Sequence, residues 1–405
     1  MTQTAIVGWG HLPFGRVEED VEQMIVGAAG AALDDAGLGP EDVDAIFLGW
    51  FNAGMAEQDF GASLVMNGFD ALRYKPATRV ENACATGSAA IYQGMDFIGA
   101  GRGRVVLVIG VEKMSDVDSA TLNRMLLKGA YLKEESNVPN GFAGIFAGIA
   151  EQYFARYGNQ ADAMAAIAAK NHHNGCANPW AQLRKDLGYE FCRTPSDKNP
   201  MVAPPLRRTD CSLVSDGAAA IVLTDVDVAS GLNKAVHFRA STQVNDFLPM
   251  SRRDMTALEG CARAWRGSFE AAGMALEDLD LVETHDCFTI AELMQYEAMG
   301  LTAPGRGAEA ALEGWTRKTG RLPVNASGGL KAKGHPIGAT GVSMHALIAC
   351  SYAVKRGRCR CQARALVEFS IWEVLGSRTT AVCWRLITDV GYLLSGHSVR
   401  RDAAG

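Results

Sequence analysis

The hydrophobic and polar positions of the chain follow one pattern that occurs twice. Residues 21–35 and 255–271 are rich in alanine and place apolar side chains at helical spacing, which predicts an amphipathic helix in each half. Each helix leads into a related segment, because residues 36–46 read AGLGPEDVDAI and residues 272–282 read AGMALEDLDLV, at an offset of 236. An apolar strand follows each segment. The chain is therefore predicted to contain two copies of one α/β unit.

The alternation of strands and helices predicts largely parallel sheets that are covered by helices and joined by right-handed crossovers. Residues 116–208 have an irregular texture unlike either copy, and a strand predicted at residues 218–223 marks the return to the first unit. Long insertions into compact domains tend to be functional. We predict a discontinuous N-terminal unit of residues 1–115 and 209–232, the insertion of residues 116–208, and a C-terminal unit of residues 233–405.

The chain is long and apolar enough to bury a large core, since its 405 residues are 48% hydrophobic and 21% charged. A net charge of −6 gives no electrostatic case for nucleic acid or an anionic membrane surface as a partner. No apolar run approaches the roughly 18 residues of a membrane-spanning helix, and the N-terminus lacks the pattern of a secretory signal. Ten scattered cysteines then favour reduced thiols and a cytoplasmic location.

Two pairs of residues of metal-ligating types are weak evidence for a metal site. Cys359 and Cys361 form a C-x-C pair, but no second pair with zinc spacing follows it. The adjacent His172 and His173 cannot share one helix face, and we expect them in a solvated loop. The sequence therefore predicts no metal site.

Cys84 is the first candidate for chemistry. It lies between a β-rich approach, ATRVENA, and a run of small residues that begins at Thr86 and suits a helix. The free N–H groups and positive dipole end of a first helical turn favour the thiolate, which is the nucleophilic form. The alternative is that Cys84 is a small buried core residue, the usual position of a free thiol.

Two later segments strengthen the catalytic interpretation. In residues 281–293 an apolar approach ends in His285 and Cys287, two proton-transfer side chains just past a predicted strand end, where open α/β sheets place their chemistry. Residues 324–341, VNASGGLKAKGHPIGATG, hold five glycines around His335. Such a loop indicates positive φ angles or close approach of the backbone to a ligand or another segment.

These three segments, in this order and at this spacing, resemble the thiolase superfamily, and the His-Asp-Cys-Phe stretch resembles its sterol-carrier-protein-type branch. The resemblance runs from about residue 5 to 366. It implies an α/β fold in which two duplicated halves stack as a five-layered αβαβα sandwich, with the insertion as a loop domain over the substrate. It further implies lipid metabolism such as fatty acid β-oxidation, acyl-CoA and coenzyme A as substrates, no bound cofactor, and a homodimer or dimer of dimers.

The resemblance also implies roles for four side chains in cleaving or forming 3-oxoacyl-CoA. Cys84 is the nucleophile that carries the acyl group, and His335 takes its proton and then helps hold the oxyanion. His285 supports the same oxyanion. Cys287 protonates the departing acetyl-CoA carbanion or, in reverse, removes the α-proton. Four further residues are assigned to substrate binding: Ser327, Gly328, Gly329 and Gly376.

One region departs from the family. Where relatives have a glycine-rich loop, residues 367–386 keep only Gly376, beside the bulky Trp372 and Val374. Bulky residues there would weaken the stabilisation of a tetrahedral intermediate at Cys84. The altered loop keeps open a non-catalytic subunit that binds acyl-CoA. A second enzyme function also stays open, a thiolase-fold retro-aldolase on a steroid-like or branched acyl-CoA, although Cys84 argues against it because aldol cleavage needs no acyl-enzyme.

Overall fold

The computed structural model describes residues 4–354, 366–372 and 379–385. The first stretch of elements is β1 (Thr4–His11), α1 (Val21–Ala36), β2 (Ala45–Gly49), β3 (Ala77–Val80), α2 (Thr86–Gly99) and β4 (Val105–Glu112). The insertion contributes α3 (Ser119–Leu126), α4 (Leu132–Glu135), α5 (Phe142–Tyr157), α6 (Ala161–Gly175), α7 (Tyr189–Arg193), β5 (Met201–Ala203) and β6 (Leu206–Arg207). The third stretch contains β7 (Gly217–Asp225), α8 (Val226–Ser230), β8 (Val236–Val244), α9 (Glu259–Ala272), β9 (Val282–Glu283), α10 (Thr289–Ala298), α11 (Gly307–Leu312), α12 (Gly329–Lys333), α13 (Ile337–Val354), β10 (Leu366–Trp372) and β11 (Thr379–Arg385). None of the helices described here is both long enough and apolar enough to span a bilayer.

Nine of the described strands form one mixed sheet, in the order β3-β2-β4-β7-β1-β8-β11-β10-β9. The expectation of largely parallel sheets is wrong, because β7 runs antiparallel to both β4 and β1, and β11 runs antiparallel to both β8 and β10. For β7, the reason lies in the insertion. Glu112 ends β4 and pairs with Gly217, which begins β7. The chain therefore leaves and re-enters the sheet at the same end of these neighbouring strands, so β7 must run in the opposite direction to β4.

Helices cover both faces of this sheet. Along β4, Leu107 and Ile109 pack on the face that carries α1, whereas Val106 and Val108 face the cluster built with α2 and α13. The period of two in a strand explains this division of neighbouring side chains. Helices α2 and α13 pack against each other, α13 also contacts β10, and α9 covers β8 and β11 from the far side. The layers therefore run from α1 through the β4 part of the curled sheet to α2 and α13, and then through its β8, β11 and β10 part to α9. This is the predicted αβαβα order, which is confirmed.

The two halves repeat each other in detail. Helices α1 and α9 both end in a left-handed glycine, Gly37 with φ 68° and Gly273 with φ 63°. Asp42 and Asp278 each accept a hydrogen bond of 2.9 Å from the backbone N–H three residues upstream. Both pairs are separated by the offset of 236 found in the sequence, so the repeated motif encodes the helix stop and the turn into the next strand.

The insertion is largely helical rather than irregular. Helix α6 carries both His172 and His173, so the expected solvated loop is wrong for this pair. His172 is buried, whereas the exposed His173 forms a hydrogen bond between its Nδ1 and Asp186 Oδ2 at 2.8 Å. Adjacent residues of a helix point in different directions, and here one points into the core and the other into solvent.

Candidate active site

Cys84 lies where the sequence predicted it, between the end of β3 and the start of α2. A 3-10 turn, Ala83–Ala85, joins the two elements, and Ala83 has a positive φ of 44°. A non-glycine residue in this region costs of order 1–3 kcal/mol, and such residues cluster at active sites. The backbone N–H of Asn82 donates to Thr86 Oγ1 at 2.8 Å, which ties the turn to the first residue of the helix.

The glycines of the third motif allow α2 and α13 to touch through their backbones. A Cβ placed on Gly87 would lie 2.8 Å from the carbonyl oxygen of Gly338, and one on Gly341 would collide with the backbone of Ser88. Gly334 has a φ of 112°, in the region that favours glycine. The predicted close approach is therefore present, and it brings the turn that carries His335 next to Cys84.

The four side chains predicted to be catalytic face one cavity of about 320 Å³: Cys84, His285, Cys287 and His335. Cys84 Sγ and one ring nitrogen from each histidine lie within 4.8 Å of one another. The two imidazole rings meet edge to face, with their centroids 4.8 Å apart and an interplanar angle of 79°. Segments that are distant along the chain thus converge on one sulfur atom.

Hydrogen bonds orient the His335 ring. Its Nδ1 lies 2.7 Å from Thr340 Oγ1, and the Thr340 hydroxyl donates to the Pro336 carbonyl oxygen at 2.9 Å. Because the hydroxyl proton is used there, the oxygen accepts from Nδ1–H, and Nε2 keeps its lone pair as a base. Burial, with the nearby charge of Lys333, lowers the pKa of His335 to about 3, so the imidazole is neutral at neutral pH.

His285 is fully buried, and within the described residues neither of its ring nitrogens has a hydrogen-bond partner. Burial, then the charges of His335 and Lys333, lowers the pKa of His285 well below its usual value. A buried polar group without a partner costs roughly 1–3 kcal/mol. An imidazole kept neutral and unpartnered beside a cavity can still donate to a ligand oxygen.

Cys287 is held as a thiol. Burial, followed by the proximity of Cys84 and Asp286, raises the pKa of Cys287 well above its usual value. Its carbonyl oxygen accepts a hydrogen bond of 2.8 Å from the Ser212 backbone N–H, which anchors the loop. A buried thiol next to Cys84 has the proton that an acid catalyst would need.

Asp286, which separates His285 and Cys287 in sequence, is not among the described residues that line the cavity. Its carboxylate accepts hydrogen bonds from the Leu330 N–H at 2.6 Å and from Asn171 Nδ2 at 2.7 Å. Burial, then repulsion from Glu292, raises the pKa of Asp286 to about 7. The carboxylate also occupies the place that a Cβ on Gly329 would take. Asp286 therefore fixes the second motif to the third, a role that we did not predict.

Three of the four predicted substrate-binding residues lie away from the lining of this cavity. Ser327 Oγ donates to Glu283 at 2.6 Å, and the Cα of Gly328 packs close to the backbone of Gly175. Ser327, Gly328 and Gly329 are not among the described residues that line the cavity. Gly376 lies outside the described residues. The assignment of these four residues to substrate binding stays a prediction.

A buried polar network lies behind the motifs. Glu292 on α10 forms an ion pair with Lys170 on α6 at 2.6 Å, and its other oxygen accepts from Asn171 at 2.6 Å and from Asn325 at 2.8 Å. All of these side chains are at least nine-tenths buried. The network connects the insertion to the two segments that carry His285 and His335, since Asn325 belongs to the second of them and Asn171 also donates to Asp286.

Replacing Lys170 with methionine is expected to lower the free energy of unfolding by about 3–5 kcal/mol, because Glu292 would remain buried without its cation. Urea unfolding monitored by circular dichroism measures the change. Arg263→Met is the matched control, since Arg263 and Glu259 form an ion pair on the surface of α9 and are both more than half exposed. Equal stability losses in the two variants would contradict this account of the buried network.

The insertion supplies much of the cavity wall, and the wall is mainly apolar. The insertion residues that line it are Asn123, Leu126, Gly129, Asn140, Phe142, Ala143, Phe146 and Val202. Phe146 stacks on Phe288, the residue that follows Cys287 in sequence, and the two ring centroids are 4.2 Å apart. The wall therefore suits an apolar group placed next to the two cysteines.

Comparisons with known proteins agree with this geometry. Residues 4–188 match the family described as Thiolase, N-terminal domain, and residues 242–366 match Thiolase C-terminal domain-like. The acetyl-CoA acetyltransferase of Methanothermobacter thermautotrophicus is 35% identical over 350 residues, which are 85% of this chain and 90% of that protein.

Solved structures share the fold at low identity. The Acat5 thiolase of Ascaris suum in complex with coenzyme A superimposes with a TM-score of 0.72 at 17% identity, covering 95% of this chain and all of that one. A structure described as Ltp2-ChsH2(DUF35) aldolase gives 0.76 at 20% identity, covering 95% and 97%. At these identities the likeness concerns the fold alone. The sequence matches support the assignment, and they show that the chain belongs to the thiolase family.

Proposed function

We propose that this thiolase-family acyltransferase cleaves or forms 3-oxoacyl-CoA through an acyl group carried on Cys84, with coenzyme A as the acyl acceptor. One observation carries the proposal: a nucleophilic thiol, a neutral histidine base, an unpartnered histidine and a protonated thiol face one apolar cavity. Each of these groups suits one step of the reaction.

Acylation begins with the Cys84 thiol. His335 Nε2 takes its proton, because Nδ1 is already committed as a donor to Thr340. The sulfur then attacks the C3 carbonyl carbon of the substrate, and the new carbon–sulfur bond places a negative charge on the oxygen. The protonated His335 and the unpartnered His285 can both donate to that oxygen.

Carbon–carbon cleavage follows when the tetrahedral oxyanion collapses. The bond between C2 and C3 breaks, its electron pair goes to C2, and the Cys287 thiol gives its proton to that carbon. This leaves an acyl group on Cys84 and releases acetyl-CoA or its α-substituted equivalent. The Cys287 thiolate then takes the proton of an incoming coenzyme A thiol, whose sulfur attacks the acyl group. The Cys84 sulfur leaves and takes back the proton held by His335, which restores the starting state.

Replacing Cys287 with alanine should separate the two half-reactions. The variant is expected to keep acylation of Cys84 by a pre-formed acyl donor but to lose exchange of the acetyl-CoA α-protons with deuterated water, because the acid and base at C2 is gone. Proton exchange is followed by mass spectrometry. Exchange at the wild-type rate would move this role to another group.

The two alternatives differ from the proposal in what they require. A retro-aldolase deprotonates a 3-hydroxyl group and needs no acyl-enzyme, so it does not explain why two histidines and a second thiol lie around Cys84. A non-catalytic subunit needs none of the four groups. The convergence of all four at one cavity therefore favours acyl transfer.

A paired assay distinguishes these functions. The protein is incubated with a 3-oxoacyl-CoA and with the matching 3-hydroxyacyl-CoA, each with and without free coenzyme A. Acyl transfer predicts loss of more than one equivalent of the 3-oxo substrate per chain only when coenzyme A is present. Cleavage of the 3-hydroxy substrate independent of coenzyme A would indicate an aldolase, and inertness toward both would indicate a binding subunit.

Several finer points belong to the same proposal. We propose that the chain acts in lipid metabolism such as fatty acid β-oxidation, that it works in the cytoplasm, and that it assembles as a homodimer or a dimer of dimers. The apolar cavity wall supports an apolar acyl chain as the transferred group. Size-exclusion chromatography with light scattering measures the assembly state directly.

A further inference from the structure

The catalytic groups also form a set of metal ligands. Cys84 Sγ and one nitrogen each from His285 and His335 lie within 4.8 Å of one another. We propose that these three atoms bind a divalent cation of the zinc type, Zn²⁺ or Cd²⁺, and that the bound ion reversibly inhibits the enzyme. The inhibitory part rests on the proposed function, whereas the binding part does not.

The donor atoms select the class of ion. Thiolate and imidazole are the usual protein ligands of Zn²⁺, whereas Mg²⁺ and Ca²⁺ require oxygen ligands. Three protein ligands with a fourth position open to water are a common zinc arrangement. That fourth position would face the cavity of about 320 Å³, which also gives a hydrated ion its route to the site.

The geometry needs only a small adjustment. Zinc bonds of about 2.3 Å to sulfur and 2.0–2.1 Å to nitrogen place tetrahedral ligand atoms roughly 3.5 Å apart. The three atoms, now within 4.8 Å, must therefore approach by no more than roughly 1.5 Å. Rotation of the Cys84 and imidazole side chains can supply a movement of this size without a change of fold.

Both histidines are prepared as ligands. The bond between His335 Nδ1 and Thr340 Oγ1 leaves Nε2 with its lone pair, and metal-bound histidines usually have such a partner on the other ring nitrogen. His285 is fully buried with neither nitrogen hydrogen-bonded among the described residues, so a metal bond would satisfy one of them. This unpartnered nitrogen is the second observation, independent of the distances, that points to a ligand.

Binding would block catalysis directly. The Cys84 thiol loses its proton to solvent and its sulfur forms a bond to the ion, so the lone pair that attacks the substrate is used. The same ion takes the His335 lone pair and one His285 nitrogen. Acylation of Cys84 and metal binding must therefore exclude each other.

Cobalt provides a direct test on the full-length chain. Co²⁺ is titrated into the reduced protein and the thiolate-to-cobalt charge-transfer absorption is recorded, after which Zn²⁺ is added. We expect one cobalt per chain with this absorption, its displacement by Zn²⁺, and loss of the absorption in Cys84→Ser. Affinity should fall at least tenfold in His285→Gln and in His335→Gln.

Cys211→Ser is the matched control, because that thiol lines the same cavity but donates to the Arg207 carbonyl oxygen. Metal binding should persist in this variant. If a histidine variant does not fold, alkylation of Cys84 in the wild-type chain tests the same point, since a blocked sulfur must abolish the charge-transfer band. Absence of the band in the wild type, or its persistence after Cys84 is blocked, overturns the proposal.

Activity measurements keep the two proposals apart. Normal thiolysis without cobalt binding rejects the metal site and leaves the acyl transfer intact. Cobalt binding in a protein that lacks thiolysis rejects the proposed function and leaves the site intact. If both hold, Zn²⁺ should inhibit thiolysis, EDTA should restore it, and prior acylation of Cys84 should protect the enzyme from the ion.

Discussion

Cys84→Ala is expected to reduce thiolysis of a 3-oxoacyl-CoA by a factor on the order of 10⁶, the size of loss seen when a covalent nucleophile is removed. Among the described residues, Cys84 is the cysteine whose sulfur groups with a ring nitrogen of both His285 and His335. The fold should survive, because Cys84 is half-buried and the change deletes one sulfur atom. Steady-state rates of coenzyme A-dependent cleavage measure the effect.

A second cysteine variant controls for general loss of thiols. Cys176 is also half-buried but lies at the end of α6, and it is not among the described residues that line the cavity. Cys176→Ala should keep wild-type activity. Thiolysis by Cys84→Ala above a small fraction of the wild-type rate would show that the acyl group is carried elsewhere.

The second large effect is expected at His335. In His335→Asn the side chain can donate a hydrogen bond but cannot accept the thiol proton, and loss of a general base costs about 10²- to 10⁴-fold in rate. His335→Ala also removes the oxyanion donor, which adds roughly 10²- to 10³-fold. The alanine variant should therefore be the slower of the two, in thiolysis and in acylation.

Alkylation of Cys84 by iodoacetamide separates the two roles of His335. Both variants should alkylate more slowly than the wild type at neutral pH, because each lacks the base that generates the thiolate. Alkylation forms no oxyanion, so the hydrogen-bond donor that remains in His335→Asn gives no advantage. The two variants should therefore alkylate at similar rates. Wild-type alkylation in both would leave His335 as a hydrogen-bonding support for the glycine-rich turn.

The duplicated architecture could be predicted because its signals are local. The segment at residues 36–46 and its copy at 272–282 contain the glycine and aspartate that stop a helix and turn the chain, and these interactions involve residues only a few positions apart. The strand-to-helix junction at Cys84 was predictable for the same reason. Membership of the thiolase family and the acyltransferase class are confirmed by the sequence matches.

Contacts between distant segments could not be predicted from the sequence alone. The direction of β7 depends on where a long insertion returns to the sheet, and no local pattern records that. Lys170 and Glu292 resemble ordinary charged helix residues until α6 and α10 are packed together. Asp286 was adjacent to two predicted catalytic residues, yet only the fold shows that its carboxylate holds the backbone at Leu330.

The central claim is that Cys84 carries the acyl group, and the intact mass of the protein tests it most directly. The chain is incubated with a 3-oxoacyl-CoA without free coenzyme A, and the reaction is quenched in acid. The intact mass is then measured by mass spectrometry, and proteolysis locates the modified peptide. The account predicts one added acyl group per chain, located on the peptide with Cys84, absent in Cys84→Ala and removed by coenzyme A. An unchanged mass, or an acyl group on any other residue, would contradict it.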